Sequence, residues 1–209
     1  MRYNKILLLI VFFLALFFRG AAQLECIKLS SAVGTDNQKV CVGSPITPIL
    51  YTLGSGVTSA TVTGLPASVV GVFSPGSFLI SGTPSVTGTF NYTVSVNGTC
   101  LGQRTASGTI TVNPLATASI VYPGSPFCNN LTTPQPVTLA GTTGGTFSAS
   151  PAGLNIGAVT GEVSPWLSIP GTYTVTYTVT SCGTATATAQ VRITALPVAT
   201  FSYPGSPYC

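Results

Sequence analysis

The sequence predicts an all-β chain of tandem antiparallel β-sandwiches that follows an N-terminal signal helix. Residues 90–96 (FNYTVSV) and 173–179 (YTVTYTV) alternate large apolar with small polar side chains. Alternation over this length places one face of a strand on a core and the other in water. Gly and Pro interrupt such short strands about every 8 to 12 residues, a spacing typical of two packed sheets. Nothing after the signal has a sustained helical period, so no long helix is predicted there.

The N-terminal segment, residues 1–22, has the pattern of a secretory signal peptide. Arg2 and Lys5 precede an apolar run over residues 6–18, and small residues at 20–22 suit cleavage. The run of about 13 residues is shorter than the roughly 20 that a membrane-spanning helix needs. We therefore expect an exported protein, secreted or held at the cell surface, with no membrane insertion after cleavage.

Two other fates of this segment stay open. Arg19, next to the cleavage site, is unusual in a signal peptide and leaves room for a retained anchor. A lipid anchor at Cys26 is the other alternative, but Glu25 precedes it where a lipoprotein signal has a small residue. With the signal removed, the chain keeps four basic and three acidic side chains, a net charge of +1. This balance leaves no basic patch for nucleic acid or for an anionic membrane.

Each predicted module ends in a hairpin. The first module is predicted over residues 23–114, and its alternating strand turns around Asn97-Gly98 into a final strand. The second module is predicted over residues 115–195, and its alternating strand turns at Cys182-Gly183 into a final strand. Residues 108–114 of the first module align with residues 189–195 of the second, so the two hairpins are related by repetition.

A repeated segment indicates that the modules form an array. The heptapeptide YPGSPFC at residues 122–128 returns as YPGSPYC at residues 203–209. A match of this length is the signature of tandem repeats. Residues 196–209 are therefore predicted to begin a third module. The joint between modules is only a few residues long, so we expect adjacent modules to be connected without a flexible tether.

Several motifs resemble those of known repeat families. In the first module, VCVG (40–43), VTGLP (62–66), ISGTP (80–84) and GTFNYTV (88–94) resemble the immunoglobulin-like repeats of very large bacterial surface proteins. In the second module, YPGSP (122–126), PAGL (151–154) and GTYTVTY (171–177) are similar to PKD-like repeats. The resemblance covers almost all of the mature chain and implies Ig-like and PKD-like β-sandwiches that serve as scaffolds. Proteins with such repeats often end in a gliding-motility-associated or secretion-sorting domain.

Four of the six cysteines predict disulfides and an oxidising compartment. Cys41 and Cys100 in the first module, and Cys128 and Cys182 in the second, each join the start of a module to its last hairpin at similar separations. Repeated placement of this kind favours one bond within each module. A loop of this size stabilises a folded module by roughly 4 kcal/mol.

Cys26 and Cys209 have no partner in this scheme. Cys209 repeats the position of Cys128, so its partner is expected in following sequence. For Cys26, a free thiol, an intermolecular bridge and a bond to Cys41 all stay open. A zinc site is not expected, because no two cysteines are close in sequence and the chain has no His.

No catalytic, cofactor or metal residue is predicted. Without His, the common pairs of nucleophile and base are missing. The mature chain has only the carboxylates of Glu25, Asp36 and Glu162, too few and too scattered for glycoside hydrolysis or a tight calcium site. The glycine-rich segment 141–145 lacks the Lys of a phosphate-binding loop and is interpreted as a hairpin turn. The chain is therefore predicted not to be an enzyme.

The favoured hypothesis is a non-catalytic extracellular or cell-surface repeat protein that acts as an adhesin or a stalk. Its expected partners are surface glycans or other cell-surface proteins, together with further modules of the same chain, and no nucleic acid. The alternative is a carbohydrate-binding accessory region of a larger secreted hydrolase, with Trp166 and Tyr122 as weak candidates for stacking on sugars. For Trp166, capping of the core is the favoured interpretation. A structural part of a gliding or secretion apparatus is a third hypothesis.

Overall fold

The computed structural model describes residues 25–201. The predicted signal peptide, residues 1–22, lies outside the described residues, as do residues 202–209 with Cys209. The chain divides into two compact units, with the boundary between Pro114 and Leu115. In residues 25–201 the regular structure consists of β-strands and one short 3₁₀ helix, which confirms the predicted all-β fold.

The described part of the first unit contains strands β1 to β8. Their bounds are β1 (Ile27–Leu29), β2 (Asn37–Cys41), β3 (Ile49–Leu53), β4 (Val57–Thr63), β5 (Val69–Ser74), β6 (Ser77–Gly82), β7 (Gly88–Gly98) and β8 (Thr105–Asn113). They form two four-stranded sheets with the orders β1-β3-β6-β5 and β2-β8-β7-β4. Neighbouring strands are antiparallel except β2 and β8, which run parallel.

The core of the first unit lies between its two sheets. Along β3 buried and exposed residues alternate strictly, and β7 buries every second residue from Tyr92 to Val96. The side chains that meet in the centre are Ile49, Tyr51, Phe78, Ile80, Tyr92, Val94, Ile110 and Val112. Full burial of an apolar side chain of this size contributes about 1.5 to 3 kcal/mol to folding. The apolar side chains that the alternation places on the inner faces therefore account for the packing of one sheet on the other.

The described part of the second unit contains strands β9 to β14 and the 3₁₀ helix. Their bounds are β9 (Ala118–Val121), β10 (Phe127–Cys128), β11 (Thr138–Gly141), β12 (Thr146–Ser150), the helix Pro165–Leu167, β13 (Gly171–Ser181) and β14 (Gly183–Thr194). A four-stranded sheet has the order β10-β14-β13-β12, and β9 pairs with β11 in a two-stranded sheet. As in the first unit, one pair is parallel, here β10 with β14.

The core of the second unit is built on the alternation predicted for residues 173–179. Strand β13 buries Tyr173, Val175, Tyr177 and Val179 on one face. They pack with residues of both sheets and of the connecting loops, namely Ile120, Tyr122, Phe127, Phe147, Val163, Val191 and Ile193. The second unit is therefore also a sandwich, but one of its two sheets has only two strands, whereas both sheets of the first unit have four.

Two predicted turns differ from the structure. Asn97 and Gly98 still belong to β7, where they pair with Ser59 and Val57 of β4, so the hairpin closes later, over residues 99–104. Segment 141–145 is not a hairpin turn, because β11 and β12 belong to different sheets and the segment crosses between them. The turn at Cys182 is confirmed, since Ser181 pairs directly with Gly183.

The hydroxyl of Tyr177 fixes the crossing at residues 141–145. Its Oη donates a hydrogen bond to the carbonyl oxygen of Thr142 and accepts one from the backbone N–H of Gly145, both 2.9 Å long. The glycine at position 145 is required here, since a Cβ would collide with the Tyr177 ring. A buried tyrosine thus supplies the polar partners that this part of the backbone lacks in the sheets.

Candidate interaction surfaces

The first unit is closed by a disulfide between Cys26 and Cys100. Their Cα atoms lie 5.8 Å apart, and both residues are buried. Cys26 stands directly before β1, and Cys100 lies in the loop between β7 and β8. The expectation that Cys26 is left unpaired, and that Cys100 bonds Cys41, is therefore wrong. Cys41 is itself a half-cystine.

The geometry of the last strand explains why Cys41 and Cys100 cannot pair. Cys41 lies opposite Asn113, at the end of β8, whereas Cys100 precedes Thr105 at its start. The 9 residues of β8 span about 30 Å. Disulfide-bonded cysteines have Cα atoms no more than about 7 Å apart. The two cysteines are thus at opposite ends of the sandwich.

The same geometry separates Cys128 from Cys182 in the second unit. Cys128 lies opposite Thr194 at the end of β14, and Cys182 precedes the start of that strand, which is 12 residues long. Cys128 is exposed and is a free thiol, so the predicted bond between these two cysteines is wrong. Cys182 is a half-cystine.

Tyr122 is a core residue, so the interpretation as a sugar-stacking side chain is wrong. It is only 5 % exposed. Its Oη donates a 2.7 Å hydrogen bond to the carbonyl oxygen of Gly161, which satisfies the phenol inside the sandwich. Burial raises the pKa of Tyr122 well above the ordinary value of a tyrosine. No face of the ring is left for a ligand.

Trp166 lies at the surface of the second unit, in the 3₁₀ helix. Pro165 is buried and begins the helix, while the indole is 38 % exposed. Leu167 and Ile169 beside it are exposed as well. We call Trp166, Leu167 and Ile169 the tryptophan patch. The indole is neither fully buried nor fully exposed, so both interpretations of Trp166 stay open.

An apolar surface covers part of the β1-β3-β6-β5 sheet in the first unit. Val72 pairs with Leu79, and Leu79 pairs with Leu50, so three strands contribute one continuous row of side chains. Val70 lies two positions from Val72 on the same face, and the two valines are 57 % and 51 % exposed. We call Leu50, Val70, Val72 and Leu79 the outer apolar face. β5, which carries both valines, is an edge strand of its sheet.

Sequence reasoning missed the outer apolar face. The signal was present in the runs VVGVF (69–73) and FLI (78–80), where apolar residues stand at the positions that alternation assigns to water. In a sandwich, such runs are expected only where both faces of a strand are covered. The outer apolar face is therefore an unusual feature of an exposed sheet surface.

The acidic side chains do not come together. Asp36 opens onto a shallow polar groove of about 440 Å³ in the first unit, which is also lined by Asn91, Tyr92 and Thr109. Glu25 forms an exposed 3.6 Å ion pair with Lys28. Within residues 25–201, no three His, Cys, Asp or Glu side chains are grouped so that they would hold a metal ion. The groove thus offers one carboxylate with hydroxyl and amide neighbours.

Tyr92, which lines this groove, is paired with a second buried tyrosine. The hydroxyls of Tyr51 and Tyr92 form a 2.9 Å hydrogen bond across the core, one from each sheet. Burial raises the pKa of Tyr51, and burial together with the bond to Tyr51 raises the pKa of Tyr92. Both phenols therefore stay neutral at physiological pH, and their hydrogen bond links the two sheets.

The only helix in the described part of the chain is the three-residue 3₁₀ turn at Pro165–Leu167, and no helix there is long and apolar enough to cross a membrane.

Solved structures similar to this chain include extracellular regions of cadherins and protocadherins. The extracellular domain of protocadherin gammaB4 is similar with a TM-score of 0.50 and 12 % identity, over 83 % of this chain and 33 % of that chain. Human mucin-like protocadherin EC1-2 has a TM-score of 0.47 and 11 % identity, over 82 % of this chain and 98 % of that chain. Mouse cadherin-23 EC22-24 has a TM-score of 0.49 and 14 % identity, over 83 % of this chain and 68 % of that chain.

The sequence matches no protein-family model and no curated protein. At identities this low, the structural similarity concerns the fold alone. The chain folds as tandem immunoglobulin-like β-sandwiches, similar to those of the protocadherin gammaB4 extracellular domain.

Proposed function

We propose that the chain is part of an exported, non-catalytic repeat protein whose sandwich modules form a stalk or an adhesive array at the cell surface. The observation that carries this proposal is the buried disulfide between Cys26 and Cys100. Bonds of this kind form and persist in oxidising compartments and are rare in the cytosol. The signal-like residues 1–22 and the repeated heptapeptide support export and repetition, respectively.

The adhesive contact is assigned to the outer apolar face. Its row of aliphatic side chains crosses three strands of a sheet, and the surrounding surface has few charges. Contiguous apolar surface on a soluble module commonly marks a site of protein–protein interaction. The partner proposed for this face is another cell-surface protein, because aliphatic side chains match apolar protein surface better than sugar hydroxyls.

Export and adhesion are tested separately on the full chain. Antibody staining of intact cells of the source is expected to detect the chain, and staining that requires permeabilisation would contradict export. Beads coated with the chain are expected to adhere to such cells. The double variant Val70→Thr and Val72→Thr should weaken adhesion by about tenfold, because two exposed aliphatic side chains leave the contact.

Val121→Thr is the matched control for this experiment. Val121 is a strand valine that is 55 % exposed but lies on β9 of the second unit. Threonine is branched at Cβ like valine and is also favoured in strands. None of these variants should therefore change the melting temperature by more than a few degrees. Equal loss of adhesion with the control variant would overturn the assignment to the outer apolar face.

The tryptophan patch supports a second candidate function, carbohydrate binding. An exposed indole is able to stack on a sugar ring, and the exposed aliphatic side chains of Leu167 and Ile169 lie beside it. Trp166 is the one tryptophan in the chain, so its fluorescence reports on this patch alone. A saturable change in fluorescence on titration with polysaccharide, abolished in Trp166→Ala, would favour this function. Unchanged fluorescence across a glycan panel would leave the adhesive array as the better proposal.

A further inference from the structure

Cys128 occupies a defined place in the second unit, at the end of its parallel strand pair. It lies opposite Thr194, the last residue of β14. The backbone N–H of Asn129 donates a 2.9 Å hydrogen bond to the Thr194 carbonyl oxygen. The thiol is exposed at this end of the sandwich, where it accepts only a long hydrogen bond from the Thr194 hydroxyl.

Cys41 occupies the same place in the first unit. It lies opposite Asn113, the last residue of β8, and the N–H of Val42 donates a 2.9 Å hydrogen bond to the Asn113 carbonyl oxygen. The sequence repeat aligns Asn113 with Thr194, so the register of the two parallel pairs is identical. Cys41 is a half-cystine, whereas Cys128 is a free thiol. The equivalent position in the first unit is therefore used for a covalent bond.

The hairpin cysteines lie at the opposite end of each unit, where the unit begins. Cys100 is bonded to Cys26, which stands before the first strand. The Cys182 carbonyl oxygen accepts a 2.9 Å hydrogen bond from the N–H of Ala116, near the start of the second unit. A module therefore carries a hairpin cysteine at its entrance and a strand cysteine at its exit.

We propose that Cys128 forms a disulfide with the hairpin cysteine of a following module. The segment that begins at Leu196 repeats the opening of the second unit, including the heptapeptide of residues 203–209. A module built on this segment brings its entrance, with its hairpin cysteine, to the exit of the second unit. The inference rests on the proposed tandem array and adds a covalent link between consecutive modules.

The bond forms by thiol–disulfide exchange with a protein or low-molecular-weight disulfide as the oxidant. The Cys128 thiolate attacks one sulfur of the oxidant and releases the other as a thiol. The thiolate of the following module then attacks the Cys128 sulfur and displaces the remaining thiol of the oxidant. Two thiols become one disulfide, two protons are released from them, and the two electrons reduce the oxidant to the dithiol state.

Peptide mapping of the full-length protein, purified from its source under alkylating conditions, tests the proposal. Trypsin alone leaves Cys128 and Cys182 in one peptide, because no Lys or Arg lies between Arg104 and Arg192. Chymotrypsin is therefore included to cleave after aromatic residues between them. The expected product is a Cys128 peptide linked to a peptide from sequence beyond residue 209. The linked Cys26 and Cys100 peptides serve as the internal control.

Recovery of alkylated Cys128 would overturn the proposal. So would its linkage to Cys182, to Cys209 or to Cys128 of a second molecule, which mixing with isotope-labelled protein identifies. Surface staining of intact cells is measured on the same material. Surface-exposed protein with alkylated Cys128 would refute only the covalent link, whereas protein confined to the cytosol would refute the proposed function.

A second test counts the reactive thiols of the full-length variant Cys128→Ser. The proposal and its contrary predict changes of opposite sign in this number. If Cys128 is bonded to a following module, the substitution releases the partner cysteine, and one more thiol per chain reacts with a thiol reagent in denaturant. If Cys128 is a free thiol, the same substitution removes one reactive thiol per chain. A gain supports the proposal and a loss overturns it.

Discussion

At the scale of single residues, the pair of Tyr51 and Tyr92 shows how the first unit joins its sheets with few polar groups. Each phenol is almost completely buried, and each is the hydrogen-bond partner of the other at 2.9 Å. A buried hydroxyl without a partner costs about 1 to 3 kcal/mol. The pair is therefore stabilising as long as both hydroxyls are present, and removing one leaves the other unsatisfied.

Single and double substitutions of this pair are expected to be non-additive. Tyr51→Phe and Tyr92→Phe should each lower the free energy of unfolding by about 1 to 2 kcal/mol, because a buried phenol loses its partner. The double variant should cost no more than either single variant, since no orphan hydroxyl remains. Urea denaturation of the four proteins measures the coupling, and strictly additive costs would contradict this account.

The raised pKa values of Tyr51, Tyr92 and Tyr122 predict a loss of stability at alkaline pH. In the unfolded chain these phenols ionise at about pH 10, whereas in the folded chain burial keeps them neutral. Their contribution to the free energy of unfolding is complete below pH 10. It decreases as the pH rises from there toward the pKa values of these phenols in the folded chain. Each phenol that stays neutral lowers the free energy of unfolding by up to about 1.4 kcal/mol per pH unit in this range.

Denaturation at pH 8, 10 and 11 checks the size of this effect. A parallel ultraviolet titration should show that part of the tyrosine absorbance change appears only on unfolding. Ordinary titration of every phenol in the folded chain would contradict the burial of these three residues.

At the scale of elements, one end of each unit lies at the turn of its last hairpin, and the other lies where the parallel strand pair ends.

Sequence alone predicted β7 and β13 well, because alternation such as Tyr173, Val175 and Tyr177 reflects directly which face is buried. The cysteine pairs were mispredicted, because the pairing of β2 with β8 puts Cys41 at the far end of β8. That parallel register depends on contacts between strands far apart in sequence, which no local pattern records.

The candidate surfaces show the same division between local and non-local information. Trp166 was identified from its residue type, and its exposure depends on the 3₁₀ turn that buries Pro165. Tyr122 was a weak candidate for stacking on sugars, whereas its hydroxyl bonds Gly161, a partner 39 positions along the chain. The outer apolar face needs the order of three strands before Val72 and Leu79 become neighbours.

Removal of the disulfide in the first unit is expected to destabilise that unit selectively. The bond closes a loop with a sequence separation of 74, so the variant Cys26→Ser with Cys100→Ser should lose about 4 kcal/mol. Circular dichroism measures unfolding of the whole chain. Fluorescence of Trp166 reports the second unit and should change much less. Val121→Thr in the same chain is the control and should leave both transitions nearly unchanged, since its side chain is exposed.

At the scale of the whole molecule, low charge limits how the chain is able to interact. Seven Lys or Arg and three Asp or Glu are present in total, and three of the basic residues lie in the predicted signal. Long-range electrostatic attraction therefore contributes little to encounters with a partner.

Adhesion by the full chain is accordingly expected to be insensitive to ionic strength. Raising the salt concentration from about 50 mM to about 500 mM shortens the range of charge interactions several-fold but leaves apolar contacts intact. Bead adhesion in the assay described above should change by less than about twofold over this range. A decrease of tenfold or more would indicate a contact dominated by ion pairs and would contradict the role of the outer apolar face.

The bond between Cys26 and Cys100 also determines how the first unit responds to a pulling force. Tension that enters the chain before Cys26 reaches Cys100 directly through the two sulfur atoms, without first extending the loop between them. In a stalk under shear, the first unit would therefore resist full extension even after its sheets have separated.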